Sequence, residues 1–592
     1  MKLTQIGSKV IYHLREEGLS ALPRRAHYLA CRLRTRAERR EHTAARAQAD
    51  AAYPRWLAQA QPGPEERRRQ GETRFSHGLS FLIPTYNTAP HLLQELADAL
   101  LAQTSPCWEA CFYDGASTRE DTRQALRDMA RRDPRLRVEL GGENLGIAGN
   151  TNAALAMARL DWVAPPPPPP PPPPDLLTPD AAYWVLRAAE DGADMVYSDE
   201  DKCTADGATF FDPHFKGDFA PDTLRAGNYI CHLMAMEREL MASLGGLRPD
   251  YDGSQDHDLA LRASERARRI VHIPRVLYHW RMLDTSVSHQ RAEKCAQAAA
   301  RAVEDQLRRL GIPGHTVCRR LRTEISYDLR PGETVSLIAR CGEKGTGRWL
   351  RALSRRTPEG VAEVLLAGGR EGCSFGGKPC RGLPREGAWA RDLNAAARAA
   401  TGDYLLFLVR GVMPLERGWL TQLRMYAQRP DVACVGSLLM TPEKIYLHGG
   451  YAVDVPGGAL SHQGGVSFFN RPYMLTDRQV RNVTAVSASM LMIRRETFLA
   501  LGGFGDYASD LAAASLGLRA QGAGLWNVFV PEAAAVWHGK EPPCLTGPAP
   551  AEDLARFREE FGAHPREKNY SPLLEKQRGW MILDTARPAG EI

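Results

Sequence analysis

Leu79-Ser80-Phe81-Leu82-Ile83-Pro84-Thr85-Tyr86-Asn87 is an apolar run that breaks into a polar turn, and its reading decides the fold. A helix-like segment, His91 to Leu101, follows, and then a second apolar run, Trp108 to Tyr113, which ends at Asp114-Gly115-Ala116-Ser117-Thr118. Short apolar runs bounded by Pro, Asn, Asp and Gly read as strands. Strand, polar turn, helix, strand, polar turn is the rhythm of a parallel sheet, whose ligands sit beyond the carboxyl ends of its strands. The chain is therefore expected to be α/β, with both turns facing one crevice.

Further along, Tyr251-Asp252-Gly253-Ser254-Gln255-Asp256-His257-Asp258-Leu259-Ala260-Leu261-Arg262 places acids and amides at the start of an amphipathic helix. Asp256 and Asp258 would lie at its electropositive end, where a carboxylate stays ionised. The competing reading is an N-capping cluster. Ile273-Pro274-Arg275-Val276-Leu277-Tyr278-His279-Trp280-Arg281 is a β-type run ending in a His, an aromatic and a cation.

With these stretches in order, the chain resembles the family 2 glycosyltransferases of the bacterial branch that builds O-antigen and other cell-surface polysaccharides. The matching residues are Phe81 to Asn87, Asp114 to Thr118, Glu143 to Asn152, Tyr197 to Lys202, Asn228 to His232, Gly253 to Arg262 and His272 to Arg281. The resemblance implies a GT-A, Rossmann-like fold and transfer of a sugar from a nucleotide diphosphate to a hydroxyl of a glycan or lipid-linked glycan. It assigns nucleotide-sugar contacts to Pro84, Thr85, Tyr86, Asn87, Asp114, Asn144, Gly146, Asn150 and Asn152, and the catalytic base to Asp256, with inversion of the anomeric centre. Asp175 and His279 are implied as metal ligands for Mn²⁺ or Mg²⁺. His279 could equally be a buried His held by a backbone carbonyl. Asp199, Asp201, Asp258 and Trp280 are candidates for an acceptor or auxiliary metal site. Tyr197 to Lys202 could instead be a solvated acidic turn after a strand ending at Tyr197. Where the family often carries a second Asp after Asp114, this chain has Gly115.

The metal motif is the point of departure. After Leu160-Asp161-Trp162-Val163-Ala164, where relatives enter an Asp-rich loop, stand ten consecutive prolines, Pro165 to Pro174, before Asp175-Leu176-Leu177. Proline lacks the N–H a central strand needs, and ten would form a polyproline II rod of roughly 30 Å. The tract could be an insertion that abolishes the donor site, a spacer in an enzyme that coordinates metal otherwise, or a corrupted stretch hiding a strand and its acids. The third is preferred, because both flanks are intact and in frame.

The second half repeats the first. Leu233 to Glu239 and Leu244-Gly245-Gly246-Leu247 pair with Met490 to Glu496 and Leu501-Gly502-Gly503-Phe504 at a constant offset of 257, the distance from Gly245 to Gly502. Asn152-Ala153-Ala154 and Asp161-Trp162 pair with Asn394-Ala395-Ala396 and Asp403-Tyr404. Its chemistry is mostly gone: the opening turn reads Ala339-Arg340-Cys341-Gly342, Val409-Arg410-Gly411 stands where acids belong, and Ala513 stands at the base position, with Asp510 nearby and His538 matching His279.

The expected organisation is a basic helical region and linker (1–75), a catalytic GT-A domain (76–315), a linker (316–332), a second, degenerate GT-A domain (333–545) and a C-terminal helix and tail (546–592). A chain of 592 residues with 43% hydrophobic and 25% charged residues suits tandem globular domains. No apolar run of about 18 residues suggests a membrane span, Met1-Lys2-Leu3-Thr4 lacks the apolar core of a secretory signal, and scattered cysteines without CxxC spacing suit reduced thiols. A cytoplasmic location is expected. Arg24, Arg25, Arg32, Arg34, Arg36, Arg39 and Arg40 could contact the anionic cytoplasmic face of the inner membrane, or belong to a helical hairpin packed on the catalytic domain, the reading that a net charge of +6 favours. No nucleic-acid motif is present. An enzyme is the first reading. The alternative is a catalytically impaired, sugar-binding scaffold. A nucleotidyltransferase is set aside, because Pro84-Thr85-Tyr86-Asn87 is not a Gly-rich loop.

Overall fold

The computed structural model describes residues 29–165, 176–282, 292–319, 321–340, 345–357, 360–369, 372–470, 473–539, 544–545 and 548–587. Strand β1 (Leu79–Thr85) is buried along its whole length, as an apolar run must be when helices cover both faces of a parallel sheet. It pairs in parallel with β2 (Trp108–Asp114), from Leu79 beside Trp108 to Thr85 beside Asp114. The two polar turns therefore end side by side, as the sequence rhythm requires. The helix between them runs Pro90–Leu101 and buries Leu92, Leu93, Leu96, Ala97 and Leu100.

Seven more strands complete a nine-stranded sheet: β3 (Leu136–Leu140), β4 (Trp162–Ala164), β5 (Leu176–Leu177), β6 (Met195–Cys203), β7 (Phe210–His214), β8 (Met234–Glu237) and β9 (Ile270–Arg281). Their order is β3-β2-β1-β4-β8-β6-β9-β5, with β7 on β6. All pairs along that order are parallel except those made by β8 and β5.

Strand β6 corrects the sequence reading. Instead of ending at Tyr197 in a solvated acidic turn, it continues to Cys203 and buries Asp199, Glu200 and Asp201 at 0%, 9% and 1% exposure. Buried charges require partners, and these acids have them on neighbouring elements.

The second sheet has eight strands in the order Arg381–Leu383, Val361–Ala367, Val335–Arg340, Tyr404–Val409, Met490–Arg494, Val432–Gly436, Trp526–Phe529 and Arg481–Val483. Position by position, its pairing senses match those of the first sheet. The repeat extends to single hydrogen bonds. The Asn152 amide clips the backbone N–H and C=O of Leu247, both at 2.8 Å, and Asn394 clips Phe504 at 2.9 and 2.8 Å. Arg262 donates to the carbonyls of Leu244 and Gly246, and Arg519 to those of Leu501 and Gly503. Ser80 bonds Glu109 as Ser336 bonds Glu363.

The stretch read as a linker, 316–332, lies largely in a β-hairpin, Gly314–Arg319 against Arg322–Tyr327. At the N-terminal side, helices Arg36–Ala60 and Pro64–Glu72 lead into β1. Tyr53 and Trp56 pack on Phe215, in one cluster with Tyr570, Leu573 and Leu574 of the C-terminal tail. The two domains meet at a buried ion pair, Arg429 with Asp222.

Candidate functional site

The crevice at the ends of β1 and β2 is built from interlocked turns. Asp114 is fully buried and accepts from Ser117 Oγ at 2.5 Å, Ser117 N at 2.9 Å and Thr85 Oγ1 at 3.2 Å. Asn87 ties the turns together, its Oδ1 accepting from Thr118 N and Arg119 N and its own N–H donating to Ser117 Oγ. Pro84 is buried, while Tyr86 is 41% exposed. Asn144 Oδ1 accepts from Gly146 N and from Asn150 Nδ2, both at 3.0 Å, and Asn150 Oδ1 from Leu145 N. A Cβ at Gly115 would lie 2.3 Å from Asn150 Nδ2. The residue that departs from the family pattern is thus the one against which Asn150 packs. Asn152 stands apart, its amide taken by Leu247.

Asp256 lies half-buried in the first turn of helix Gln255–Ser264. The capping reading does not hold, because the Ser254 hydroxyl makes no cap and donates to the Gly253 and Cys295 carbonyls instead. Asn228 Nδ2 donates to Asp256 at 2.9 Å. Asp256 also lines a small cavity with Cys231, His232, Gln255 and Pro165, the first residue of the proline run. Asp258 faces inward, fully buried, paired with Arg262 at 2.7 Å and with Arg248. It locks the helix in place and is closed to an acceptor. His257 donates from Nε2 to the Leu224 carbonyl at 2.7 Å, and burial lowers its basicity.

The acids of β6 are equally engaged. Asp199 Oδ1 accepts from His272 Nε2 at 2.7 Å and Lys216 N at 2.8 Å. Burial alone would raise the Glu200 carboxyl, but Lys216, His214 and His232 hold it down to about 2. Asp201 Oδ1 accepts from His279 Nδ1 and Oδ2 from Tyr53 Oη, each at 2.6 Å, and burial nonetheless keeps its carboxyl above the usual range. Trp280 lies edge-on to His232 at 6.3 Å. Asp175 is outside the described residues, though the next residue, Leu176, pairs with His279.

Mn²⁺ and Mg²⁺ take hard oxygen ligands, and the described donors do not fit such an ion. Asp201 is taken by His279 and Tyr53, and Asp199 Oδ1 by His272 and a backbone N–H, which leaves the buried Asp199 Oδ2, without a hydrogen-bond partner among the described residues, as a lone hard donor. Among the described residues, the one set of three donors within 4.8 Å of one another is Cys231, His232 and Asp256. Its thiol is soft and pushed far up by burial and by Asp256, so it stays protonated.

In the second domain Ala513 occupies the position of Asp256 and Ser515 that of Asp258. Asp510 does not replace the base: it is enclosed, accepts from Tyr451 Oη at 2.6 Å and Ala488 N at 3.2 Å, and burial pushes its carboxyl up to about 6. His538 is exposed. Asn228, Lys216 and Tyr53 carry no role in the sequence reading. For Asn228 the available signal was its place in the Asn228–His232 motif, whereas Lys216 and Tyr53 offered none.

The Glycosyl transferase family 2 model matches residues 80–165. The chain is 30% identical over 550 residues to the uncharacterized protein y4gI of Sinorhizobium fredii, covering 86% of this chain and 59% of that protein. It is also 30% identical over 517 residues to the O-antigen biosynthesis protein RfbC of Myxococcus xanthus, covering 82% of this chain and 40% of the relative. The chain thus spans about half the length of these curated relatives. A solved structure, the mannosyltransferase PcManGT of Pyrobaculum calidifontis with GDP-Man and Mn²⁺, is similar at 21% identity and a TM-score of 0.30, over 46% of this chain and 75% of that one. Matched residues 80–165 contain both turns of the crevice, and the chain carries a domain of glycosyl transferase family 2.

Proposed function

We propose that the first domain moves a sugar from a nucleotide-diphosphate sugar, bound over the turns at Thr85–Asn87 and Asp114–Thr118, to a hydroxyl of a growing cell-surface glycan, with inversion. The observation that carries this reading is Asp256. It is half-buried in the first turn of a helix, it is oriented by Asn228, and it borders the cavity where the chain leaves β4. A carboxylate so held can take the proton of an attacking hydroxyl. The name of the Myxococcus relative supports the substrate class. A divalent cation would draw a carboxylate from Asp175, outside the described residues. Exposed Arg32, Arg34, Arg36 and Arg40 on the N-terminal segment suit contact with an anionic membrane surface.

The test is nucleotide release from a panel of UDP-, dTDP- and GDP-sugars by the full chain and by Asp256→Asn. Turnover is expected to fall about 10²–10⁴-fold, the range for loss of a general base, with nucleotide affinity unchanged. Equal turnover would remove Asp256 from the chemistry. The proline run in place of the acidic loop favours a second reading, a glycan-binding scaffold, which predicts nucleotide binding at background.

A further inference from the structure

We infer that the cleft between the two domains is the binding site of a neutral glycan, and that it delivers the acceptor hydroxyl to Asp256, making the second domain and the C-terminal tail the acceptor-reading wall of the enzyme. The inference rests on the glycosyl-transfer reading for its ligand class. The cleft has a volume of about 320 Å³, within the usual range for ligand sites. One wall comes from first-domain residues 214–229, and the other from second-domain residues 473–482 and tail residues 569–581. Asn228 lines both this cleft and the cavity of Asp256, so the two spaces border one side chain.

Two amides of the lining each keep an acceptor that a hydroxyl donor would satisfy. Asn228 Oδ1 and, on the opposite wall, Asn569 Oδ1 are buried and have no hydrogen-bond partner among the described residues. Neither amide can be turned round to cure this. Asn228 Nδ2 donates to Asp256, and Asn569 Nδ2 donates at 3.2 Å to Thr484 Oγ1, whose own proton goes to Glu567. A buried acceptor left unpaired is unfavourable, and a sugar hydroxyl supplies the missing proton. Two cations of the lining are engaged elsewhere. Lys216 Nζ donates to the carbonyls of Ser198, Ile230 and His232 at 2.7–3.1 Å, and Arg481 binds Thr476 O, His462 Nδ1 and Gly449 O. With these charges committed, the cleft favours an uncharged polyhydroxyl chain over a phosphorylated one.

The test uses the labelled full chain on an array of purified bacterial surface polysaccharides, neutral and acidic, alongside UDP titration with Mn²⁺. Two variants alter the cleft from different sides: Gln479→Trp, which fills it opposite Gly227, and Asn569→Leu. Melting curves identify any variant that fails to fold, leaving the other to decide. Binding to neutral polysaccharide, weakened at least about tenfold in a folded variant, with UDP affinity matching wild type, is the expected result. Absence of polysaccharide binding, binding only to acidic chains, binding indifferent to both variants, or UDP affinity lost with the cleft would each overturn it. If wild type binds glycan through the cleft but no nucleotide, the cleft assignment stands and the transferase reading falls.

Discussion

Replacing Arg429 with methionine is expected to strand Asp222 at the junction of the domains. Asp222 is 2% exposed and sits among Arg429, Arg225 at 3.4 Å and Asn482, whose Nδ2 donates to it at 3.0 Å. Arg429 also pairs with Asp431 at 2.5 Å and lies over Tyr327. Removing one partner of a buried ion pair costs about 3–5 kcal/mol, because a desolvated charge is left behind. Arg225 and Asn482 remain, so the expected loss is near 3 kcal/mol, at the low end of that range. The measurement is urea denaturation of the full chain, read as the free energy of its first transition. Combining Asp222→Asn with Arg429→Met removes the stranded charge and should recover much of the loss. The pH dependence has a defined sign. Burial alone would raise the Asp222 carboxyl, but Arg429 and Arg225 outweigh it and hold it below the usual range. Its contribution is therefore complete above the unfolded value of about 3.9 and is lost as pH falls through the lower folded value. A loss under about 1 kcal/mol, or a double variant no better than Arg429→Met, would refute the reasoning.

In the first domain, Gly115→Ala forces a Cβ against Asn150 and is expected to cost about 1–3 kcal/mol by overpacking while raising KM for the nucleotide sugar; melting and initial-rate assays check both. The paired variants Arg262→Met and Arg519→Met remove the same carbonyl clip from each half, and the first should lose more stability, since Arg262 also neutralises fully buried Asp258 whereas Arg519 meets Ser515 at 3.4 Å and a part-exposed Glu560 at 3.7 Å. Equal losses in chemical denaturation would count against that charge argument. Burial, aided by Arg481, lowers His448 to about 3. The unfolded state then binds the extra proton, so the contribution of this group is full above about pH 6.5 and falls by up to about 1.4 kcal/mol per pH unit as pH drops toward the folded value. His448→Gln should flatten that slope in pH-dependent denaturation.

The strand–turn–helix rhythm at 79–118, the helix beginning near Gln255 and the internal repeat were legible along the chain, because each depends on local periodicity or on residues compared at a fixed offset. The role of Asn152 was not, since its clip to Leu247 bridges 95 residues. The N-capping reading of the acid and amide cluster failed for a similar reason: the Ser254 hydroxyl reaches Cys295, 41 residues away.

By itself the sequence determined that this chain is α/β, that its halves repeat, and that Asp256 has no acidic counterpart in the second half. Those conclusions need no more than the order of residue types. Tertiary structure alone decided the fate of the other acids. Asp199 meets His272 across 73 residues, and Asp201 meets His279 across 78 and Tyr53 across 148. An acidic run reads as solvated until distant partners arrive to neutralise it in the interior, and only the folded chain brings them there.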